Sequence, residues 1–141
     1  MRIAIGSDDT GALTDTLVAE LGRRGADVAR YGALRDGSTE WVSAGRDVGE
    51  AVASGRADFG VVCCWTGTGI SIAANKVRGV RAALCGDAAT AAGARRWNDA
   101  NVLALSLRAT SPAVGTEILA AFLDTPLSDD PADRAAIASI E

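Results

Sequence analysis

The stretch DFGVVCCWTGTGISIAANK, residues 58–76, runs from a nearly continuous apolar segment through a glycine-rich turn into an alanine- and isoleucine-rich one. An apolar run that does not alternate with polar residues is expected of a central parallel strand buried on both faces. The turn from Trp65 to Gly69 then opens a helix over about residues 70–77. Strand, turn and helix in that order make one half of a parallel crossover unit, and the same grammar extends in both directions.

Toward the N-terminus, RIAIGSD reads as a strand ending in Gly6, Ser7 and Asp8, and GALTDTLVAELGRRG as a helix closed by Gly25. DVARYG is a second strand, followed by a polar loop through Ser38 and Glu40 and a helix over VSAGRDVGEAVASG. Toward the C-terminus, VRAALC and NVLALSL are two more strands, separated by an alanine-rich helix from about Asp87 to Arg96. SPAVGTEILAAFLD is a helix with Ser111 in the cap position and Pro112 in the first turn. Five strands alternating with helices predict a doubly wound α/β/α sandwich around a five-stranded parallel sheet. The 141 residues suit a single domain, 1–141, with the acidic tail 128–141 packed on it or on a partner subunit.

A net charge of -4 argues against nucleic acid or an anionic membrane as partner, although a local arginine can still hold a small anion. No apolar run reaches the roughly 18 residues of a membrane span, and the start MRIAIGSDD lacks the pattern of a signal peptide, so a cytoplasmic location is expected. Three cysteines without any histidine make a poor disulfide framework and a poor metal site. Reduced thiols and no metal are expected.

In doubly wound sheets, ligands bind beyond the carboxyl ends of the strands. That rule selects Ser7 to Asp9, Cys64 to Gly69, Gly86 and Asp87, and Ser106 to Arg108. The turn lacks the Gly-Lys-Ser/Thr ending of a nucleotide-phosphate loop, since its lysine is Lys76. It lacks the third glycine of a dinucleotide fingerprint, since Ile72 stands there. Ile70 occupies the arginine position of a phosphatase-like cysteine loop, and a cysteine hydrolase would need a base that a histidine-free chain does not supply.

What remains is an anion-binding turn at a helix N-terminus, where the amides of Gly67, Thr68 and Gly69 meet the positive end of the helix dipole. That environment favours a nearby thiolate acting as a proton-abstracting base and holds the enediolate formed by removing a proton next to a carbonyl. Cys63 and Cys64 point to opposite faces of the strand, so they cannot both serve. Free cysteine is also a common core residue, and for Cys63 and Cys85 that plainer reading is preferred.

GTGISIAANKVRGVRAALC, NDANVLALSLR and MRIAIGSDD together resemble the signature of the ribose-5-phosphate isomerase type B and galactose-6-phosphate isomerase family, in order and over nearly the whole chain. The resemblance implies a Rossmann-like fold, a homodimer or dimer of dimers with composite sites, and cofactor-free aldose–ketose isomerisation of a sugar or sugar phosphate through an enediol. It places Cys64 on the family's base and Thr66 on the hydroxyl residue beside it. Gly67 to Ser71, including Thr68 and Gly69, fall on the anion hole. Asp8 falls on the acid that bonds sugar hydroxyls, Asn98 on an asparagine facing substrate oxygens, and Arg108 and Arg134 on phosphate-side arginines.

The departures from that family pattern are as informative. Asp9 and Trp97 stand where the family has histidines, the second being its ring-opening residue; Asp130 replaces an arginine; and Trp65 replaces the glycine after the base. Two unit charges roughly 4 Å apart interact by about 4 kcal/mol at an effective dielectric of about 20, so an ionised Asp9 would oppose a phosphate beside it. The substrate is therefore expected to differ from ordinary ribose 5-phosphate: its phosphate is absent or placed differently, or it is a short or open-chain sugar. Asp8 and Asp9 also read as caps of the helix starting near Gly11. Trp41 and Trp97 read as packing residues or as sugar-stacking ones near loops, and Arg95 and Arg96 as an exposed helix end. A rival to the isomerase is a non-catalytic sugar- or polyol-binding homologue, or one subunit of a hetero-oligomeric isomerase.

Overall fold

The computed structural model describes residues 1–140; Glu141, the last residue of the tail read above, lies outside them. Strands β1 (Arg2–Ser7), β2 (Asp27–Gly32), β3 (Phe59–Cys64), β4 (Ala82–Leu84) and β5 (Val102–Ser106) form one parallel sheet in the order β2-β1-β3-β5-β4. Around it lie α1 (Ala12–Arg23), α2 (Ala33–Asp36), α3 (Trp41–Ala53), α4 (Thr68–Asn75), α5 (Ala88–Asn98), α6 (Pro112–Asp124) and α7 (Pro131–Ala138). This is the Rossmann-like three-layer sandwich expected from the alternation of elements.

Strand side chains alternate between two cores. Ile3, Ile5, Val61, Cys63, Leu103 and Leu105 pack with α1, α5 and α6, while Ala4, Val62, Cys64, Val102 and Ala104 pack with α3 and α4. The second layer is thin because glycine lets α3 approach the sheet. A Cβ on Gly60 would lie 2.7 Å from Val48 Cγ1, and one on Gly6 2.8 Å from Val48 Cγ2. Gly45 does the same between helices, since its Cβ would lie 2.8 Å from the Ile70 carbonyl oxygen. This close contact seats α4, and with it the N-terminus that borders the site.

Several boundaries differ from the sequence reading. The predicted polar loop after β2 contains the single turn α2, ended by Gly37 at φ 79°. Helix α4 starts at Thr68, two residues earlier than expected, because Gly67 in the left-handed region already turns the chain into it. Strand β4 has three residues rather than six, since it is an edge strand paired to β5 alone. Trp97 and Asn98 belong to the last turn of α5 rather than to a loop.

Neither acid after β1 caps α1. Gly11 takes that position, with its amide donating to Thr14 Oγ1 at 2.9 Å, while the Asp9 carboxylate accepts from the Thr10 amide at 2.8 Å. Arg95 is buried, not exposed. Its guanidinium lies 4.8 Å from the Phe59 ring centroid, and Nη1 donates to Asp99 Oδ1 at 2.9 Å and to the Ala100 carbonyl at 2.6 Å. Asp99 causes this by adopting φ 47°, which folds the end of α5 back onto the sheet. Helix α7 lies against α5, and the Ser128 amide donates to the Arg96 carbonyl at 2.9 Å.

Candidate active site

From β1 the chain turns to one side to reach β2, and from β2 it crosses to the other side to reach β3, so strand order reverses between β1 and β3. A crevice forms beyond the strand ends at such a point. Ser7 pairs with Cys63 and Cys64 with Ser106, which places Asp8 and Cys64 together at the crevice floor.

The residues after Cys64 are held from the neighbouring strand end. The Trp65 carbonyl accepts from Ser106 Oγ at 2.9 Å and from the Arg108 amide at 3.1 Å; the Cys64 carbonyl accepts from the Leu107 amide at 2.9 Å and the Gly67 amide at 3.2 Å. Gly67 sits at φ 77°, and a Cβ there would meet Leu84 Cδ1 at 2.5 Å and the Leu105 backbone at 2.9 Å. Glycine is thus required both by conformation and by space. The amides of Thr68, Gly69 and Ile70 follow at the start of α4, and no group among the described residues accepts from them. With the helix dipole they make a ready site for negative charge.

A hollow of about 270 Å³ lies over this turn, lined by Asp8, Trp41, Cys64, Trp65, Thr66, Thr68 and Gly69. Thr66 Oγ1 and Thr68 Oγ1 share a hydrogen bond of 2.7 Å. Burial, reinforced by the charge of Asp9, raises the Asp8 carboxyl above its ordinary value, with its own amide opposing. The folded state therefore holds that proton more tightly than the unfolded chain, and ionised Asp8 opposes folding once the pH exceeds the ordinary carboxylate range. Asp8→Asn is expected to raise Tm at pH 7, with the gain shrinking as the pH is lowered through that range. A gain constant from pH 7 to pH 3 would show that Asp8 carries no such charge penalty.

Cys63 faces the other layer, where burial pushes its thiol up to about 12, and burial pushes Cys85 up to about 11. Neither is a base at neutral pH. Arg108 lines a neighbouring hollow of about 510 Å³ with Thr66, Ser106 and Thr110, and no group among the described residues pairs with its guanidinium. Asp9 borders a third hollow of about 260 Å³ with Trp65, Leu107 and Pro112.

Four residues read as site residues are not brought to Cys64 within the chain. Ser71 lies in the second turn of α4, mostly buried, with its amide donating to the Gly67 carbonyl at 3.3 Å. The Trp97 ring covers Gly93, and Asn98 borders a separate hollow with Arg78 and Arg81. Arg134 bonds Asp129 at 2.9 Å and the Ser128 carbonyl at 3.1 Å. Conversely, Trp41 enters the Cys64 hollow at the start of α3, its ring 3.2 Å from where a Gly69 Cβ would lie. Its distance in sequence from the cysteine turn hid this, whereas Ser106, selected as a strand-end residue, serves as a brace on the Trp65 carbonyl. Asp87, also at a strand end, is a helix cap that accepts from the Thr90 amide at 2.7 Å.

Among the described residues no helix is long and apolar enough to cross a membrane, and no cluster of three or more His, Cys, Asp or Glu could hold a metal ion. The family model described as Ribose/Galactose Isomerase matches residues 3–140. Ribose-5-phosphate isomerase B of Escherichia coli is 40% identical over 124 residues, which cover 87% of this chain and 80% of that protein. D-erythrulose-4-phosphate isomerase of Pectobacterium atrosepticum is 36% identical over 126 residues, covering 88% and 83%. Among solved structures, ribose-5-phosphate isomerase B of Clostridium thermocellum matches with a TM-score of 0.92 at 38% identity, covering 99% of this chain and 95% of that one.

Proposed function

The chain belongs to the ribose/galactose isomerase family of sugar-phosphate aldose–ketose isomerases, and on that premise we propose that it isomerises a short, open-chain sugar phosphate with Cys64 as base. The observation that carries this reading is the position of Cys64 in a hollow bordered by the α4 N-terminus, whose first amides have no acceptor among the described residues. The Cys64 thiolate removes the proton from C2 of the aldose. The electron pair forms the C1–C2 double bond, and the carbonyl oxygen becomes an enediolate oxygen held by the amides of Thr68 and Gly69. Thr66 passes a proton between the two oxygens, Asp8 accepts from substrate hydroxyls, and Cys64 returns its proton to C1, giving the ketose.

A histidine-free site suits a substrate that has no ring to open. An aldotetrose phosphorylated on O4 cannot close a five-membered ring, because that oxygen is blocked. The similarity to a protein named for D-erythrulose 4-phosphate supports a substrate of this length. We expect an aldotetrose 4-phosphate incubated in D₂O to yield ketose bearing deuterium at C1, and the aldose in equilibrium with it to acquire deuterium at C2. Thermal stabilisation by the sugar without exchange at C2 would instead make the protein a sugar binder.

We further propose that a second copy of the chain completes the site with Trp97, Asn98 and Arg134, none of which borders the Cys64 hollow of its own protomer. Mixing inactive Cys64→Ala and Asn98→Ala proteins after unfolding and refolding should then restore activity, through hybrid dimers with one intact site. No recovery would show that Asn98 does not act from the second copy.

A further inference from the structure

The Cys64 hollow opens toward two others across different residues. It shares Thr66 with the Arg108 hollow and Trp65 with the Asp9 hollow. These two borders differ in bulk and in what lies beyond them. Thr66 is small, and its hydroxyl is engaged by Thr68. Beyond it stands the Arg108 guanidinium, which no group among the described residues pairs with. Trp65 is 65% exposed, yet its backbone is fixed through its carbonyl by Ser106 and Arg108. Beyond it the lining carries the Asp9 carboxylate and no lysine or arginine.

We propose that Trp65 sets the length of the sugar that this site accepts, an inference that rests on the isomerase reading above. With C1 and C2 over Cys64, the indole bars the way to the Asp9 hollow and sends the remaining carbons across Thr66 toward Arg108. An anionic end then meets a cation instead of a carboxylate, which reconciles Asp9 with a phosphorylated substrate. The indole face also gives the sugar's C–H bonds an apolar wall. Replacing Trp65 with a small residue joins the two hollows, so the extra carbon of a longer chain gains room to bow toward the Asp9 side while its phosphate still reaches Arg108.

The test is kcat/KM for an aldotetrose 4-phosphate and an aldopentose 5-phosphate in the wild type, Trp65→Ala and Trp65→Phe. One carbon in a closed pocket is worth at least about tenfold. Trp65→Ala is expected to raise the pentose-to-tetrose ratio by about that factor or more, while Trp65→Phe keeps the wild-type ratio. An unchanged ratio in Trp65→Ala, with turnover of the tetrose retained, would overturn the proposal. Should Trp65→Ala not fold, Trp65→Leu carries the same comparison. If the wild type turned over neither sugar, the isomerase reading itself would fail; thermal shifts with four- and five-carbon polyol phosphates would then test length selection alone, an unchanged preference in the variant again counting against it.

Discussion

Cys64→Ala is expected to lose both isomerisation and deuterium exchange at C2 while keeping its fold. A positioned base contributes about 10²–10⁴-fold to proton abstraction, so kcat should fall by about that factor. The structural loss is small by comparison, because one sulfur leaves the edge of the thin core layer bordered by Val62, Ile70 and Ala104. That is worth about 1 kcal/mol, or about 3 °C in Tm for a chain of this size. Cys64→Ser separates the roles further: it restores a polar atom of similar shape, but its hydroxyl is far too weak an acid to provide the base. Both variants should therefore be inactive and nearly as stable as the wild type. Exchange within tenfold of wild type in either one would move the base elsewhere in the hollow, with Asp8 the next candidate.

Gly67→Ala should damage stability and activity together. A side chain at φ 77° costs about 1–2 kcal/mol, and the new Cβ would be forced against Leu84 and the Leu105 backbone, adding about 1–3 kcal/mol of overpacking. The Leu84 side chain can move aside, but the strand backbone cannot. A fall in Tm of about 6–15 °C follows, with loss of turnover as the start of α4 shifts away from Cys64. Gly55→Ala is the control, since Gly55 has nearly the same φ, 74°, with nothing within 4 Å of its Cβ position. It pays the conformational cost alone. If the two variants lost equal stability, the close approach of Gly67 to β5 would be of no consequence and only its backbone conformation would call for glycine.

Most of the fold was legible because its signals are local. An unbroken apolar run such as residues 59–64 has to be covered on both faces, and turn glycines and cap residues mark where each element stops. The boundaries that were misread depend on contacts distant in the chain. The shortness of β4 follows from having one neighbour, and the burial of Arg95 follows from Asp99 folding the end of α5 onto Phe59 and Phe122. The capping role read into Asp8 and Asp9 failed for a related reason: Thr14 serves Gly11 from within the helix, which leaves Asp8 to face the hollow.

The candidate site divides along the same line. The cysteine turn, the helix behind it and the acids after β1 could be placed by sequence, because the ends of parallel strands must open on one edge of the sheet. That Trp41 joins the same hollow from the start of α3 could not, because it depends on how that helix packs against the turn. Sequence by itself determined the order of strands and helices, the family, and the turn that holds negative charge, since these rest on patterning and backbone conformation. Only the tertiary structure decided that Thr66 and Trp65 border different hollows, one toward Arg108 and one toward Asp9, because separations between side chains on different strands arise only when the sheet assembles.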